Sequence, residues 1–171
     1  HLHGMTPAEV RAELAAARDE FRRIFGGDAH TAGAAGWQST AESRAAYDEA
    51  GLLYASDTRG TAPFFPKIGA RVFRTLEIPS TLPTLDELLG RSQYPEEKIV
   101  PHLLGLLRPE RVNVFTLHAE IEGMRHRVLF RALLEAAKTA GVMFVGLDKI
   151  ARELLVSRER IPICSQVMAS I

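Results

Sequence analysis

Residues 112–123 read VNVFTLHAEIEG. The stretch opens as an apolar run, VNVFTL, which has the composition of a buried β-strand. It then turns at once to His118, Ala119, Glu120, Ile121, Glu122 and Gly123. Parallel α/β folds keep their sites just past the C-terminal ends of the strands, so a histidine and two carboxylates at such a place are candidates for chemistry. A plainer reading stands beside it. His118 would hydrogen-bond the loop, and Glu120 and Glu122 would charge the N-terminus of the following helix. For Glu122 the plainer reading is preferred.

Upstream and downstream of this stretch, helices and short apolar strands alternate. Thr6 caps a helix with Pro7 at its first position and Glu9 closing a capping box. Val10, Leu14, Ala17, Phe21 and Phe25 recur at helical spacing, and Gly26-Gly27 ends the pattern. HTAGAAGW is predicted as a strand running into a turn. Ser39 with Glu42 predicts a second capping box, on a helix to about Ala50 that Gly51 stops. Leu52 to Ala55 is a brief apolar strand ending in SDTRG. Residues 61–83 hold four prolines and read as a loop over the sheet, extended near Arg74 to Ile78. Thr84 caps a short helix, and another runs from about Pro95 to Leu107. After VNVFTL come a helix from about Met124 to Ala140, the strand VMFVG and a helix from about Asp148 to Leu155. The tail from Ser157 reads as irregular. This order predicts an α/β fold on a parallel sheet, in a single domain over 1–171.

The totals bound the function. The chain has 171 residues, 46% hydrophobic, with 21 basic and 21 acidic side chains. Balanced charge gives no reason to expect a polyanion, and nucleic acid is not expected as a partner. One cysteine, Cys164, excludes an internal disulfide and a cysteine metal knot. No Walker loop, dinucleotide fingerprint or GxSxG elbow is present. The polar singletons instead fall at strand ends: Gly36 and Trp37 after the first, Asp57 and Arg59 after the second, His118 and Glu120 after VNVFTL. Three strand ends would converge on one mouth. Trp37 as a packing residue, and Asp57 with Arg59 as a turn with a local ion pair, remain open alternatives. His30, His102 and His126 have no metal-ligand spacing and read as surface or structural. His1 and His3 lie on the chain end.

The blocks AAGWQST, YASDTRGTAPF, LEIPSTLPTLDELLGR and VFTLHAEIEGMRHRVLFRALLEAAKTAGVMF resemble, in order, the C-terminal half of polysaccharide deacetylase-like (NodB-type) enzymes. The resemblance covers roughly residues 4–168. It is nearest to the subgroup of 4-deoxy-4-formamido-L-arabinose-phosphoundecaprenol deformylases. It implies the C-terminal portion of an irregular (β/α) barrel, and a carbon–nitrogen hydrolase that removes an N-formyl group from a sugar carried on undecaprenyl phosphate. That product belongs to lipid A modification and polymyxin resistance. It implies His118 as the acid that protonates the leaving amine. Gly36, Trp37, Asp57, Arg59 and Glu120 are then substrate-binding candidates, with Asp57 and Arg59 orienting other groups or holding the sugar phosphate.

The resemblance also implies a divalent metal, usually zinc. Its expected ligands, an Asp-x-Asp motif and an H-x-x-x-H pair, are not in this sequence. By that alignment His1 and His3 are not those ligands. The expectation is therefore a longer native protein, with this 171-residue chain inactive alone and prone to associate through open sheet edges. A polyprenyl substrate implies a cytoplasmic location with peripheral contact at the inner membrane's cytoplasmic face. The alternatives are a polysaccharide or peptidoglycan N-deacetylase and a non-catalytic carbohydrate-binding fragment.

Overall fold

A computed structural model describes residues 4–166. In chain order the elements are α1 (Pro7–Phe25), β1 (Thr31–Ala32), α2 (Ala41–Glu49), β2 (Tyr54–Ala55), β3 (Phe65–Ile68), β4 (Arg71–Val72), β5 (Leu76–Glu77), α3 (Leu85–Leu88), α4 (Glu96–Leu106), α5 (Arg127–Thr139), α6 (Leu147–Leu155) and β6 (Ile163–Ser165). The mixed α/β class is as expected. The chain divides into two compact units, one taking the residues to Pro79 and again from Gly146, the other Ser80–Val145.

In the first unit, α1 starts and stops as its sequence predicts. The Thr6 hydroxyl accepts from the Glu9 amide, the Glu9 carboxylate accepts from the Thr6 amide, and Gly26 closes the helix in a left-handed conformation. The second capping box lies one residue further on than expected. Thr40 and Ser43 form it, not Ser39 and Glu42, because a hydroxyl at the third helical position reaches back as well as a carboxylate does.

Three short strands form a parallel sheet in the order β1-β2-β5, with Ala32 opposite Ala55 and Ala55 opposite Glu77. Tyr47, Leu52 and Ala55 make a buried cluster, packed by Leu14, Ala32 and Ala50. A second sheet, order β4-β3-β6, was not expected. β3 and β4 make an antiparallel hairpin, and β6 joins β3 in parallel. The loop reading of 61–83 and the irregular reading of the tail are both corrected by it. Pro63 and Pro66 mask strand character in sequence, yet Pro66 sits within β3. The tail residues 163–165 become a strand only because β3 offers them a ladder. Residues 167–171 of that tail lie outside the described residues.

The second unit is helical. Leu85, Leu88, Ile99 and Leu103 form its buried core, with Phe115, Ile121, Leu129 and Leu133 packed on it. VNVFTL is not a strand here. Its one ladder-like contact is at Val114, whose carbonyl accepts from the Thr81 and Leu82 amides at 3.0 and 3.1 Å and whose amide donates to the Thr81 hydroxyl. A strand needs a partner along its length, and this segment has one at a single residue. VMFVG likewise forms no strand, and Met143 and Phe144 are 85% and 63% exposed. The expected helix from Met124 is preceded by a wide π-helical turn, Ile121–Arg125, and α5 proper starts at Arg127.

Candidate functional site

Gly36, Trp37, Asp57 and Arg59 belong to the first unit, on the turns that follow β1 and β2. After β1 the chain passes through Ala34 into a tight turn, Ala35–Trp37. Gly36 has φ 62° and Trp37 φ 57°. Glycine adopts that region freely, but a tryptophan there is strained. The Trp37 indole is half-buried, and the Arg59 guanidinium carbon stands 4.9 Å from its ring centre. That is a cation–π stack on an accessible aromatic face.

Asp57 ties the two turns together. It is fully buried, and its Oδ1 accepts from the Ala34 amide at 2.6 Å. Asp57 faces Arg44 of α2, with Oδ2 3.6 Å from Nη1. The same Nη1 donates to Glu77 Oε2 at 2.5 Å. Glu77 Oε1 accepts from the Asp57 amide at 2.7 Å and from the Thr58 hydroxyl at 2.8 Å. One guanidinium therefore serves two carboxylates in the interior. Burial pushes both carboxyls above their ordinary range, and Arg44 opposes the shift. Burial, with the Asp57 charge beside it, also pushes the Tyr47 phenol up.

His118 and Glu120 belong to the second unit. His118 follows the extended segment, and its amide donates to Glu122 Oε2 at 2.7 Å. The buried Glu122 carboxylate thus ties down the head of the helical turn, in keeping with the plainer reading preferred for it. The His118 side chain is 39% exposed, yet its Nδ1 is turned inward, 3.5 Å from Asp86 Oδ1 of α3. An imidazole with one nitrogen beside a carboxylate and the ring partly exposed has the form of an oriented acid–base group. Glu120 is exposed on the turn.

Three participants were not singled out from sequence. Arg44 was hidden inside a helix of small residues, although an arginine among the buried positions Ala45, Ala46 and Tyr47 is a signal. Glu77 was hidden in an apolar strand, Leu-Glu-Ile, where a charge demands a buried partner. Asp86 read only as a first-turn acid of a short helix.

Among the described residues no group of three or more His, Cys, Asp or Glu is placed to hold a metal ion. Asp57 and Glu77 do not fit the part, since the charge they surround is the Arg44 guanidinium. His1 and His3 lie outside the described residues. No helix among the described residues is long and apolar enough to cross a membrane.

No family model matches the chain. Over 146 residues it is 33% identical to a protein of Shewanella sediminis (strain HAW-EB3) named as the 4-deoxy-4-formamido-L-arabinose-phosphoundecaprenol deformylase ArnD, covering 85% of this chain and 47% of that protein. A protein of Wigglesworthia glossinidia brevipalpis with the same name is 38% identical over 112 residues, covering 64% of this chain and 37% of that one. The chain thus spans about half the length, or less, of these curated relatives. A crystal structure from Mycobacterium smegmatis, described as a polysaccharide deacetylase, matches all of this chain and 63% of its own with a TM-score of 0.73. At 15% identity that likeness is one of fold.

Proposed function

We propose, from the premise that this chain belongs to the NodB-like polysaccharide deacetylase family, that it carries the acid-donating and sugar-holding part of an amide hydrolase. The substrate class we assign is an N-formylated amino sugar linked through phosphate to a polyprenyl carrier, as in the names of the curated relatives. Such a carrier brings the reaction to a bilayer surface, and we place it on the cytoplasmic side. The metal expected of the family has no donor set among the described residues.

The observation that carries the reading is the setting of His118. Nδ1 is turned towards Asp86, so Nε2 is the nitrogen left for a substrate. In hydrolysis of the formamide a water oxygen adds to the formyl carbon, the C–N bond breaks and formate departs. The leaving nitrogen takes its proton from His118 Nε2. Asp86, beside Nδ1, orients the ring that donates it. At 3.5 Å the two groups are just beyond a normal hydrogen bond, and such contacts commonly tighten when substrate binds. Trp37 offers an apolar face to a sugar ring, and Arg59 above it suits a phosphate, which a guanidinium binds through two donors. Asp57, being buried, takes the orienting role. Gly36 permits the turn that presents the indole, and Glu120 stands at the rim of the His118 turn.

The test is formate release from the lipid-linked formamido sugar by the full-length protein. His118→Ala should lower turnover by about a hundred- to ten-thousand-fold, the usual contribution of a positioned acid. Unchanged turnover would remove His118 from this role.

A further inference from the structure

We propose that Arg44 and Glu77 are a positioning pair that holds Trp37 and Arg59 against each other, although neither belongs to the exposed part of the site. The inference deepens the sugar-phosphate reading of Trp37 and Arg59 and rests on it. Trp37 occupies a left-handed backbone conformation, φ 57°, that a bulky residue keeps only where its surroundings over-determine it. The atoms that do so are traceable. Glu77, the last residue of β5, reaches across to the turn after β2 and accepts from the Asp57 amide and the Thr58 hydroxyl. That fixes where Arg59 leaves the sheet. Asp57 in turn accepts from the Ala34 amide at 2.6 Å, and Ala34 opens the turn that ends in Trp37. Two strand-end turns are thereby locked to each other through Asp57.

Arg44 is what allows the two carboxylates to be there. Its side chain is 1% exposed and theirs are 0%, and its guanidinium is seated against both. Among the described residues the Nε and Nη2 of Arg44 have no hydrogen-bond partner. A bare hydrophobic core of the same shape would avoid that cost. An under-satisfied charge cluster tied through Asp57 to the turn that carries a strained aromatic is the pattern of a device that holds a site, at the expense of local stability.

The experiment uses Trp37 as its own reporter, since it is the only tryptophan in the 171 residues. Glu77→Gln and Arg44→Lys are compared with the parent chain by far-ultraviolet circular dichroism, by iodide quenching of tryptophan emission, and by titration with glucosamine 1-phosphate. In a folded variant we expect quenching to rise at least about twofold and the Kd for glucosamine 1-phosphate to rise about tenfold, the scale of one lost hydrogen bond. Quenching within the error of the parent chain in a folded variant overturns the proposal. Should neither variant fold, Thr58→Val removes one hydrogen bond at the edge of the network, and the same quenching criterion decides. Arg59→Ala separates the two readings. If it leaves glucosamine 1-phosphate binding intact, the sugar-phosphate reading fails, while quenching in the Glu77 variant still decides the positioning role.

Discussion

Replacing Arg44 by methionine is the sharpest test of how this interior is held together. Methionine approximates the length of the arginine stem and removes the charge. Asp57 and Glu77 would then face each other's field in the interior without the guanidinium that opposes the upward push of burial on both. Breaking a buried ion pair by removing one partner costs about 3–5 kcal/mol. For a chain of this size each kcal/mol lowers Tm by about 2–4 °C, so the expected fall at neutral pH is roughly 6–20 °C. The pH dependence carries the diagnostic sign. A carboxyl whose pKa is raised in the folded state contributes stability that is fully present below its unfolded pKa and is lost as pH rises through the folded value. In Arg44→Met both carboxyls are pushed further up, so the deficit against the parent chain should be largest near neutrality. It should shrink as the pH is lowered towards the ordinary carboxyl range of the unfolded chain, about 4, below which both groups are protonated in either state. The assay is thermal unfolding followed by circular dichroism across that range. A Tm within about 2 °C of the parent at every pH would refute the assignment of Arg44 as the counter-charge.

The other expectations are more local. Glu122→Met removes the acceptor of the His118 amide and should cost about 1–3 kcal/mol, seen as a lower urea midpoint together with faster hydrogen exchange at that amide. Gly36→Ala places a Cβ that meets only the Gln38 side chain, at 3.9 Å, so its cost is the left-handed backbone alone, about 1–2 kcal/mol in chemical denaturation. Met143→Lys with Phe144→Lys, at side chains already in solvent, should leave stability within about 0.5 kcal/mol per site and reduce self-association in sedimentation velocity. A double variant that sediments like the parent would show that this apolar segment is not what brings copies together.

Where a residue's conformation is decided within four or five neighbours, the sequence was readable. The Thr6–Glu9 capping box, the Gly26 stop and the short helix behind Thr84 all depend on contacts inside one turn. The β1-β2-β5 sheet was legible in part, because its strands alternate with helices, and the positions of Trp37, Asp57 and Arg59 at strand ends followed from it. The second sheet was not, since β6 has no strand signal of its own and gains its conformation from β3, about a hundred residues earlier. The failure at VNVFTL runs the other way. Its composition is that of a strand, but composition supplies only one side of a ladder, and here the other side reaches only Val114. Arg44 and Glu77 were illegible for a related reason: 33 positions separate them, and a buried charge is recognisable only once its partner is in view.

The turns that carry the candidate residues share one construction. The Trp37 turn is held by a carboxylate accepting the Ala34 amide, the Arg59 turn by a carboxylate accepting the Asp57 amide, and the His118 turn by a carboxylate accepting its own amide. Each acceptor comes from inside the protein, and each is ionisable. A backbone N–H just past a strand or an irregular segment has no ladder partner and must find one. Water would satisfy it without fixing the turn, whereas a buried carboxylate satisfies it in a single geometry with a charge-assisted bond. The aromatic, guanidinium and imidazole groups are thus displayed from backbone already fixed before any ligand arrives. Conserving the carboxylates while exchanging the displayed side chains should alter what is bound without altering the fold. Exchanging the carboxylates should loosen the display even where every displayed side chain is kept.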